Sequence, residues 1–565
     1  MDGTLDRDGL KKAFQLARSL RRRAPQVDPT SVCLGLIAGT GLAELQDAVS
    51  VFEGDAFDYV VASIYTLLLP EARRKELGAY FTPPHLVRHL LRRLSEHGLD
   101  CAYHSMHDPA AGGAAFVVPL VRDTARSLLS TGTTQEELAA VLARRLSGME
   151  LDAGLATVAN ALVRRTLASE FGVIAGESFR LVHVGDSLTE DVAQSDAVVG
   201  NPPYAKVGAR RQREWAKGFS DILGGQLNLY AMFLRRSMDQ VLPKGLVGFV
   251  VPTSFLHGPE FRTLRVALLS RSDLLRVDLI EKRTNMFLDV VQDACCVVFR
   301  RHVEASETHD APLADCAILR ADGVPEAQGQ FIPRRDGSPW VLPSTEEMAV
   351  GGHVLADYGY RCTVGYLVVN RQGDRLSRTP GQGKVPLVRA ACVRMDGDFD
   401  LRACGAEFVT VTAHAKYVVR EPCVAIQRTA NRKQARRINA AAIPASVVHQ
   451  HGGLVGENHV LFLLAMGKPK ISPAVMSRLM NSGPVNARWG RTCGTINLSA
   501  KLLATLDLPE PSLVASLDDV EGAHIDEAVT IAYSRSSNPQ ASTSLKVQID
   551  AGLRVTSSQS CLEAA

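Results

Sequence analysis

The 565-residue chain has no long apolar segment and no strong excess of charge of either sign. Its longest apolar stretches, such as residues 59–70 and 246–251, are too short to cross a membrane as a helix. The formal net charge is only +3, so affinity for a nucleic acid has to come from local basic patches. These absences predict a protein with no membrane partner.

Cysteine spacing of the kind that binds metals or forms redox pairs is also missing. The eleven cysteines show no Cys-x-x-Cys pattern, and the sequence shows no secretory leader. They are therefore expected to be reduced thiols in a cytoplasm, with no metal site. In contrast, hydrophobic residues make up 46% of the chain, which is enough for the cores of two or three domains.

The most informative segment is the tetrapeptide Asn201-Pro202-Pro203-Tyr204, which directly follows the strand-like run 197–200. An open α/β sheet binds its ligands at the carboxyl ends of its strands, so this segment is expected in a ligand crevice. Asn201 offers a hydrogen-bond acceptor, the prolines stiffen the turn, and Tyr204 offers a flat face for stacking. The set suits a planar base that carries an exocyclic amine, although a simple tight turn is the alternative.

Three more predicted strand ends upstream carry residues suited to a nucleotide. Residues 108–116 (Asp-Pro-Ala-Ala-Gly-Gly-Ala-Ala-Phe) form a loop of small residues that lets a ligand approach the backbone closely. The strand-like segments 146–150 and 179–185 lead to Glu150 and Asp186. A carboxylate in such a place can accept hydrogen bonds from both hydroxyls of a ribose. Each acid alone could be a solvated strand end, but four such ends in order indicate a nucleotide-binding sheet.

With these motifs the chain resembles the S-adenosylmethionine-dependent DNA methyltransferases that methylate amines, specifically the adenine-N6 enzymes of restriction–modification systems. The resemblance covers the region from residue 75 to residue 300. It includes the segment 78–84, which is similar to the family's methionine-side cofactor motif, and the strand-like segments 248–252 and 293–299. Cofactor motifs first, the tetrapeptide next and a long C-terminal region last is the order of the gamma class.

One position departs from the family pattern. The loop in this family usually reads Asp-Pro-Ala-Cys-Gly-Ser-Gly, and Ala114 replaces a customary glycine. A positive φ at Ala114 would cost energy, unless the neighbouring Gly112 and Gly113 absorb the turn.

The resemblance implies an α/β fold, a doubly wound Rossmann-like methyltransferase sheet, with S-adenosylmethionine as the cofactor. It places Thr82 and Asp108 near the methionine end, Glu150 on the ribose and Asp186 on the cofactor's adenine amine. The predicted cofactor-binding residues are Tyr80, Thr82, Asp108, Ala110, Gly112, Glu150, Asp186 and Asn201. The predicted catalytic residues are Asn201, Pro202, Pro203, Tyr204 and Phe287.

The expected mechanism addresses the low reactivity of the adenine amine, whose lone pair is delocalised into the ring. If the Asn201 side-chain oxygen and the Pro202 carbonyl accept its two N–H bonds, the lone pair localises on nitrogen and can attack the activated methyl group. No metal and no covalent enzyme intermediate is required. Because a base inside a duplex cannot reach such a pocket, the adenine is expected to be flipped out between Tyr204 and Phe287. Phe287 could equally be a core residue.

Composition divides the chain into four regions. Alternating strands and helices are expected in the catalytic region, and a shift toward Asp, Gly and Pro between 301 and 345 marks a boundary. The predicted regions are a helical N-terminal extension (1–75), the catalytic domain (76–305), a mixed α/β target-recognition domain (345–511), and a C-terminal helix with a disordered tail (512–565).

A basic run at 427–437 has five Lys or Arg residues and no acidic one. Such residues pair with DNA phosphates, and Arg also reads guanine edges, although a solvated surface is the alternative. The predicted DNA-binding residues are Arg428, Arg432, Lys433, Arg436 and Arg437. The expected partners are double-stranded DNA and a separate restriction endonuclease, in the nucleoid of a prokaryotic cytoplasm.

Several other functions remain open on the sequence. Cytosine-N4 methylation uses the same amine chemistry, but Asn at the first tetrapeptide position and the gamma order favour adenine. Protein-glutamine methyltransferases share the tetrapeptide but are typically far shorter. An inactive DNA-binding specificity subunit would keep the fold, which the intact tetrapeptide argues against. A fused restriction–modification enzyme would need a nuclease site, and neither an Asp…Glu-x-Lys nor a His-Asn-His arrangement is convincing here.

Overall fold

The computed structural model of the chain forms two compact units, Met1–Pro343 and Ser344–Ala565. The described residues are 6–77, 82–208, 215, 218–224, 227–280, 294–304, 311–319, 325–340, 352–369, 375–405, 407–412, 414–429, 436–492 and 498–536. Four residues of the predicted sites, Tyr80, Phe287, Arg432 and Lys433, lie outside these ranges.

The described part of the first unit begins with five helices and continues with helices that flank a sheet. Its helices are α1 (Arg7–Arg23), α2 (Pro29–Ala38), α3 (Ala43–Ser50), α4 (Gly54–Leu68), α5 (Glu71–Leu77), α6 (Pro84–Glu96), α7 (Val117–Ser130), α8 (Gln135–Arg145), α9 (Ala153–Phe171), α10 (Leu229–Gln240), α11 (Ser254–His257) and α12 (Arg262–Leu269). Local signals set their ends. Helix α2, for example, starts at an Asp28 cap followed by Pro29 and ends at Gly39, whose φ is 76°.

Helix α4 is the central helix of this N-terminal group. Every residue from Phe57 to Leu68 is buried, because α1, α2 and α9 pack around it. A polar contact fastens it to the sheet, since the Tyr65 hydroxyl donates to Asp152 Oδ1 at 2.6 Å. Asp152 also caps α9, directly after the second strand, by accepting the Leu155 N–H. The N-terminal helices therefore share one core with the sheet.

Within the described ranges, nine strands form the sheet of the first unit, in the order β3-β2-β1-β4-β5-β7-β6-β8-β9. They are β1 (Met106–Asp108), β2 (Leu146–Glu150), β3 (Val182–Val184), β4 (Ser195–Gly200), β5 (Val241–Pro252), β6 (Ser272–Ile280), β7 (Ala294–Arg301), β8 (Ala314–Leu319) and β9 (Pro325–Phe331). The first five run parallel, and β7 inserts antiparallel between β5 and β6. The sheet continues past residue 305, to Phe331.

Chain order reverses between β1 and β4, which are neighbours in the sheet. From β1 the chain moves outward through β2 and β3, and it then returns to place β4 on the other side of β1. Apolar cores cover both faces of the sheet. The predicted doubly wound, Rossmann-like fold is confirmed, and the reversal marks the place where such sheets bind ligands.

The described residues of the second unit form two four-stranded sheets, with strand orders β10-β17-β14-β15 and β11-β13-β12-β16. The strands are β10 (Tyr360–Val364), β11 (Leu376–Ser377), β12 (Lys384–Val388), β13 (Phe408–Thr410), β14 (Cys423–Gln427), β15 (Ala440–Ile443), β16 (Val455–Gly456) and β17 (Val460–Ala465). The helices are α13 (Ala445–His451), α14 (Pro473–Asn481), α15 (Gly483–Thr492), α16 (Ala500–Ala504) and α17 (Ile525–Ser536). Val529, Ala532 and Tyr533 of α17 join the same core as β10, β14 and β17.

Across the described part of the chain, no single helix has the length and hydrophobicity needed to cross a membrane. The bent pair α2 and α3 satisfies the length and composition requirement only when its two helices are taken together.

Candidate active site

The carboxyl ends of β1 and β4 meet at the reversal point of the sheet. Asp108 ends β1 with only 1% of its surface exposed, and its Oδ1 accepts the Ala110 N–H at 3.0 Å. Gly200 ends β4 directly against it, since a Cβ atom on Gly200 would lie 2.7 Å from Asp108 Oδ1. Burial raises the pKa of Asp108 to about 8. The structure therefore favours the neutral acid, unless a cation lies next to the carboxyl group and stabilises its charge.

Glu150, at the end of β2, holds the glycine-rich loop that follows β1. Its Oε2 accepts the Gly112 N–H at 2.9 Å, and its Oε1 accepts the Asp152 N–H at 2.8 Å. The Ala111 N–H also donates to the carbonyl of Met149 at 2.9 Å. Burial raises the pKa of Glu150, and these backbone N–H donors oppose that shift. Glu150, which is predicted to bind the ribose, thus also fixes the loop.

The loop uses left-handed backbone at two places, Gly112 with φ of 53° and Ala114 with φ of 65°. Gly112 therefore does not absorb the whole turn, and Ala114 adopts the positive φ expected of the customary glycine. For an L-residue this costs about 1–2 kcal/mol. The Ala114 N–H donates to the Ala111 carbonyl at 2.8 Å, and its side chain is fully buried. Packing around the loop holds this strained turn.

The tetrapeptide directly follows β4. Asn201 and Tyr204 are half-buried, and Pro202 is buried. The Tyr204 hydroxyl donates to the Val250 carbonyl at 3.2 Å, and its ring meets the buried Tyr230 ring edge to face, with centroids 6.2 Å apart. These contacts fix the plane of the Tyr204 ring before any ligand arrives.

Asp186 follows β3 and is half-buried. Its Oδ1 accepts the Leu188 N–H at 3.0 Å, and its own N–H donates to Glu190 Oε1 at 2.8 Å. The Gly185 N–H donates to the Glu150 carbonyl at 3.1 Å, which ties this turn to the end of β2. The structure therefore brings the ends of all four predicted strands to one edge of the sheet.

Thr82 lies beside the loop in a small cavity of about 20 Å³, lined in part by Gly113, Ala114 and Asp58. The Thr82 side chain is 2% exposed. Within the described ranges, neither Thr82 Oγ1 nor Asp58 Oδ1 has a hydrogen-bond partner. Burial raises the pKa of Asp58 to about 6, although Arg122 nearby lowers it. Polar atoms in this position provide hydrogen-bonding capacity next to the loop.

Asp58 is not among the residues predicted from the sequence, because it belongs to a helix of the N-terminal extension. The only local signal is a single acidic residue within the otherwise uncharged segment 56–70. Arg122 of α7 reaches Asp58 at 2.7 Å and also contacts Asp55 and Glu170, which joins α4, α7 and α9. Burial opposes its charge, but these carboxylates outweigh that effect and raise the pKa of Arg122.

The predicted DNA-binding residues that the structure describes belong to the second unit. Arg428 Nη1 donates to the Asn458 carbonyl at 2.9 Å, and the Arg436 side chain donates to the carbonyls of Asn481 and Met395. The Arg437 backbone N–H donates to Asn486 Oδ1 at 2.9 Å. At least part of the hydrogen-bonding capacity of Arg428 and Arg436 therefore serves the fold of their own unit.

Residues 170–287, which contain the tetrapeptide, match the family described as Eco57I restriction-modification methylase. Curated relatives carry related names. The type II methyltransferase M.BsuBI of Bacillus subtilis is 22% identical over 365 residues, 60% of this chain and 70% of that protein. M.PaeR7I of Pseudomonas aeruginosa is 24% identical over 305 residues, and M.XhoI of Xanthomonas vasicola is 26% identical over 306 residues. The chain spans about half the length of these last two, 52% and 54%.

Two solved structures share the fold over most of the chain. The type IIL restriction-modification enzyme MmeI in complex with DNA aligns with a TM-score of 0.55 and 13% identity, covering 87% of this chain and 81% of MmeI. The DrdV–DNA complex aligns with a TM-score of 0.51 and 12% identity, covering 93% of this chain and 67% of the other. At such low identity these likenesses concern the fold alone.

The chain is therefore related to the methyltransferases of restriction–modification systems. The predictions of a methyltransferase fold and of S-adenosylmethionine as the cofactor are confirmed. The residues at the sheet edge fit that group chemically. The cofactor is cationic at sulfur and at its amino group, and a buried carboxyl such as Asp108 gains its charge most easily beside a cation.

Proposed function

We propose that this protein is a site-specific DNA methyltransferase that modifies the N6 amine of an adenine flipped out of duplex DNA. The observation that carries the proposal is the position of Asn201–Tyr204 directly after β4, beside Asp108 and at the reversal point of the sheet. An amide oxygen, a rigid turn and an aromatic ring there match the requirements of an aromatic amine as substrate. The match of residues 170–287 to a restriction-modification methylase family supports DNA modification.

Asn201 and Pro202 hold the substrate amine in this proposal. The Asn201 side-chain oxygen accepts one N–H bond, and the Pro202 main-chain carbonyl accepts the other. Both acceptors interact more strongly as positive charge develops on the nitrogen, so they stabilise the transition state more than the ground state. Proline at positions 202 and 203 restricts φ, which reduces the reorganisation needed to aim the carbonyl.

Tyr204 holds the plane of the flipped base. Its ring is already oriented by the Val250 carbonyl and by Tyr230. Stacking on a fixed ring costs little conformational entropy, which favours the extrahelical base over the stacked one. Phe287 is proposed as the opposite wall of the base pocket.

The edge formed by β1, β2 and β3 would hold the cofactor, which supplies the methyl group when bound. Glu150 would accept from the ribose hydroxyls with the remaining lone pairs of its oxygens, and Asp186 would contact the adenine amine. Thr82 and Asp108 would hold the methionine end, and Tyr80, Ala110 and Gly112 complete the proposed cofactor-binding set. In-line transfer then requires mainly positioning by these groups.

The proposal is tested with labelled S-adenosylmethionine and unmethylated duplex DNA, followed by nucleoside analysis and mapping of the modified positions. Label in N6-methyladenine is expected. Label in N4-methylcytosine would show a cytosine enzyme, and label only in protein would show a protein methyltransferase. Cofactor binding without any transfer would indicate an inactive specificity subunit.

We further propose that the protein is the modification component of a restriction–modification system whose nuclease is a separate protein. Incubation of the pure protein with unmethylated DNA and Mg²⁺ is expected to leave the DNA uncut. Prior methylation by the protein should protect the same DNA from the nuclease of its own system. Cleavage by the pure chain would contradict this division of roles.

A further inference from the structure

Two tyrosines of the second unit stack on each other at its surface. The rings of Tyr366 and Tyr417 lie 4.1 Å apart between centroids and only 7° from parallel. Tyr366 remains 49% exposed, whereas Tyr417 is half-buried. A large aromatic face held open to solvent in a fixed orientation is a feature of binding surfaces.

The backbone on each side of Tyr366 is fixed. The Gly365 N–H donates to the Val460 carbonyl at 2.8 Å, and a Cβ on Gly365 would lie 2.0 Å from the main-chain carbonyl oxygen of Glu457. Leu367 is fully buried and exchanges backbone hydrogen bonds with Gly456 and Asn458. Tyr366 is thus presented by an ordered segment. A ligand that packs on its ring therefore binds with little loss of conformational entropy in the protein.

Arg375, directly before β11, supports the pair of tyrosines. Its Nη2 donates to the Tyr417 hydroxyl at 2.6 Å and to the Thr410 carbonyl at 3.0 Å. Its guanidinium carbon lies 5.6 Å from the centre of the Tyr417 ring. Arg375 therefore fixes the second ring and places a positive charge beside it.

The segments that surround the tyrosines are basic. Residues 375–388 and 408–420, which include the neighbouring strands β11, β12 and β13, contain no Asp or Glu. Their cationic residues are Arg375, Arg378, Lys384, Lys416 and Arg420. Arg378, Lys416 and Arg420 are exposed. We call Tyr366, Tyr417 and these five cations the tyrosine–cation surface.

We propose that the tyrosine–cation surface binds duplex DNA, with the cations on phosphates and the outer ring of Tyr366 against a sugar or a base edge. This inference rests on the proposed function and assigns part of the DNA contact to residues outside the basic run 427–437. The exposed Glu421 directly follows Arg420, but Arg378, Lys416 and Arg420 outnumber it, and this excess of positive charge matches a polyanion. Protein interfaces, by contrast, are depleted in lysine.

Two cations of this surface, Arg378 and Lys416, differ from Arg428 and Arg436 in their exposure. Arg428 and Arg436 are half-buried, and their guanidinium groups donate to main-chain carbonyls of the same unit. Arg378 and Lys416 are exposed, and Lys416 directly precedes Tyr417. The tyrosine–cation surface is therefore expected to contribute more to the salt dependence of DNA binding than Arg428 or Arg436.

The test measures binding of the full chain to a fluorescent mixed-sequence duplex of about 30 base pairs over a range of salt concentrations. The Arg378→Gln and Lys416→Gln double variant should lower the slope of log K against log salt by about 1.8, roughly 0.9 per lost phosphate contact. Tyr366→Ala should weaken binding about 10-fold with an unchanged slope. Tyr103→Ala and Arg144→Gln, on exposed positions of the first unit, are matched controls and should bind as the unaltered protein does.

Unchanged affinity and slope in both sets of variants would overturn the proposal, provided that circular dichroism shows them folded. Unchanged DNA binding together with a lower sedimenting mass in Tyr366→Ala would overturn it in favour of a protein interface. The unaltered protein serves as the reference for the proposed function. If it neither binds DNA nor transfers label to DNA, the proposed function fails as well, whereas normal methylation with unaffected variants rejects this surface alone.

Discussion

Asp108 Oδ1 lies only 2.7 Å from the position that a Cβ atom on Gly200 would take, so glycine at position 200 allows the ends of β1 and β4 to approach each other closely. Asp108 thus lies next to the residue that precedes the tetrapeptide Asn201–Tyr204. In the proposed function, the cofactor site and the substrate site share this contact. Its geometry is therefore expected to affect both cofactor binding and methyl transfer.

Gly200→Ala should disturb this contact, because the new methyl group would lie 2.7 Å from Asp108 Oδ1 and 3.6 Å from the Phe249 ring. Overpacking of this kind costs about 1–3 kcal/mol of stability. We expect a lower melting temperature and at least about 10-fold weaker cofactor binding by calorimetry. Gly208→Ala is the control, since no atom of the described residues lies within 4 Å of its Cβ position. Equal behaviour of the two variants would argue against the contact.

Asn201→Ala should abolish methyl transfer and leave cofactor affinity within about threefold, because the lost oxygen acts on the substrate amine. Single-turnover transfer of labelled methyl and calorimetric cofactor titration measure the two effects separately. A parallel collapse of cofactor binding would mean that Asn201 holds the cofactor instead of the amine.

Tyr204 should act through its ring and not through its hydroxyl. Tyr204→Phe removes the hydroxyl with its 3.2 Å bond to the Val250 carbonyl and keeps the ring, so methylation should stay within about threefold. Tyr204→Ala removes the stacking face and should lower kcat/KM for DNA about 10-fold or more. Both are read from initial rates on the same duplex. If the phenylalanine variant is as impaired as the alanine variant, the hydroxyl is the important group.

Ala114→Gly should not destabilise the protein, unlike most replacements of buried alanine by glycine. Glycine relieves the cost of φ at 65°, about 1 kcal/mol, and this offsets its greater freedom in the unfolded chain. Ala125→Gly, at a fully buried site inside α7, provides the control and should lose about 1 kcal/mol. Denaturant unfolding distinguishes the two, and equal losses would indicate that the positive φ stores no strain.

Asp108 should make the cofactor-free protein less stable as pH rises. Its pKa is about 8 in the folded chain against an ordinary value of 3.8, so the folded state retains the proton between these limits. Its contribution to stability is full below pH 3.8 and declines toward pH 8, by up to about 1.4 kcal/mol per pH unit. Asp108→Asn should remove this component from unfolding curves measured between about pH 5 and 8. Identical pH slopes in both proteins would contradict it.

Much of the sheet edge can be predicted from the amino-acid sequence. Glu150, Asp186 and Asn201 each end or follow a short, mainly apolar run, and Asp108 opens the loop of small residues. Parallel strands deliver their carboxyl ends to one edge. The loop pattern identified Ala114 as the place of a customary glycine but left open whether Ala114 or its glycine neighbours take the positive φ. These are local properties, which depend on residues a few positions apart.

The contacts between distant segments were decided only by tertiary packing. Asp58 reaches the glycine-rich loop because α4 packs beside it, and Arg428 and Arg436 donate to main-chain carbonyls that no local pattern identifies. Tyr366 and Tyr417 stack although about fifty residues separate them in the chain. The sequence by itself determined which residues end the strands, because backbone periodicity is local. Which side chains face one another depends on how the elements pack, and that was decided by the folded chain alone.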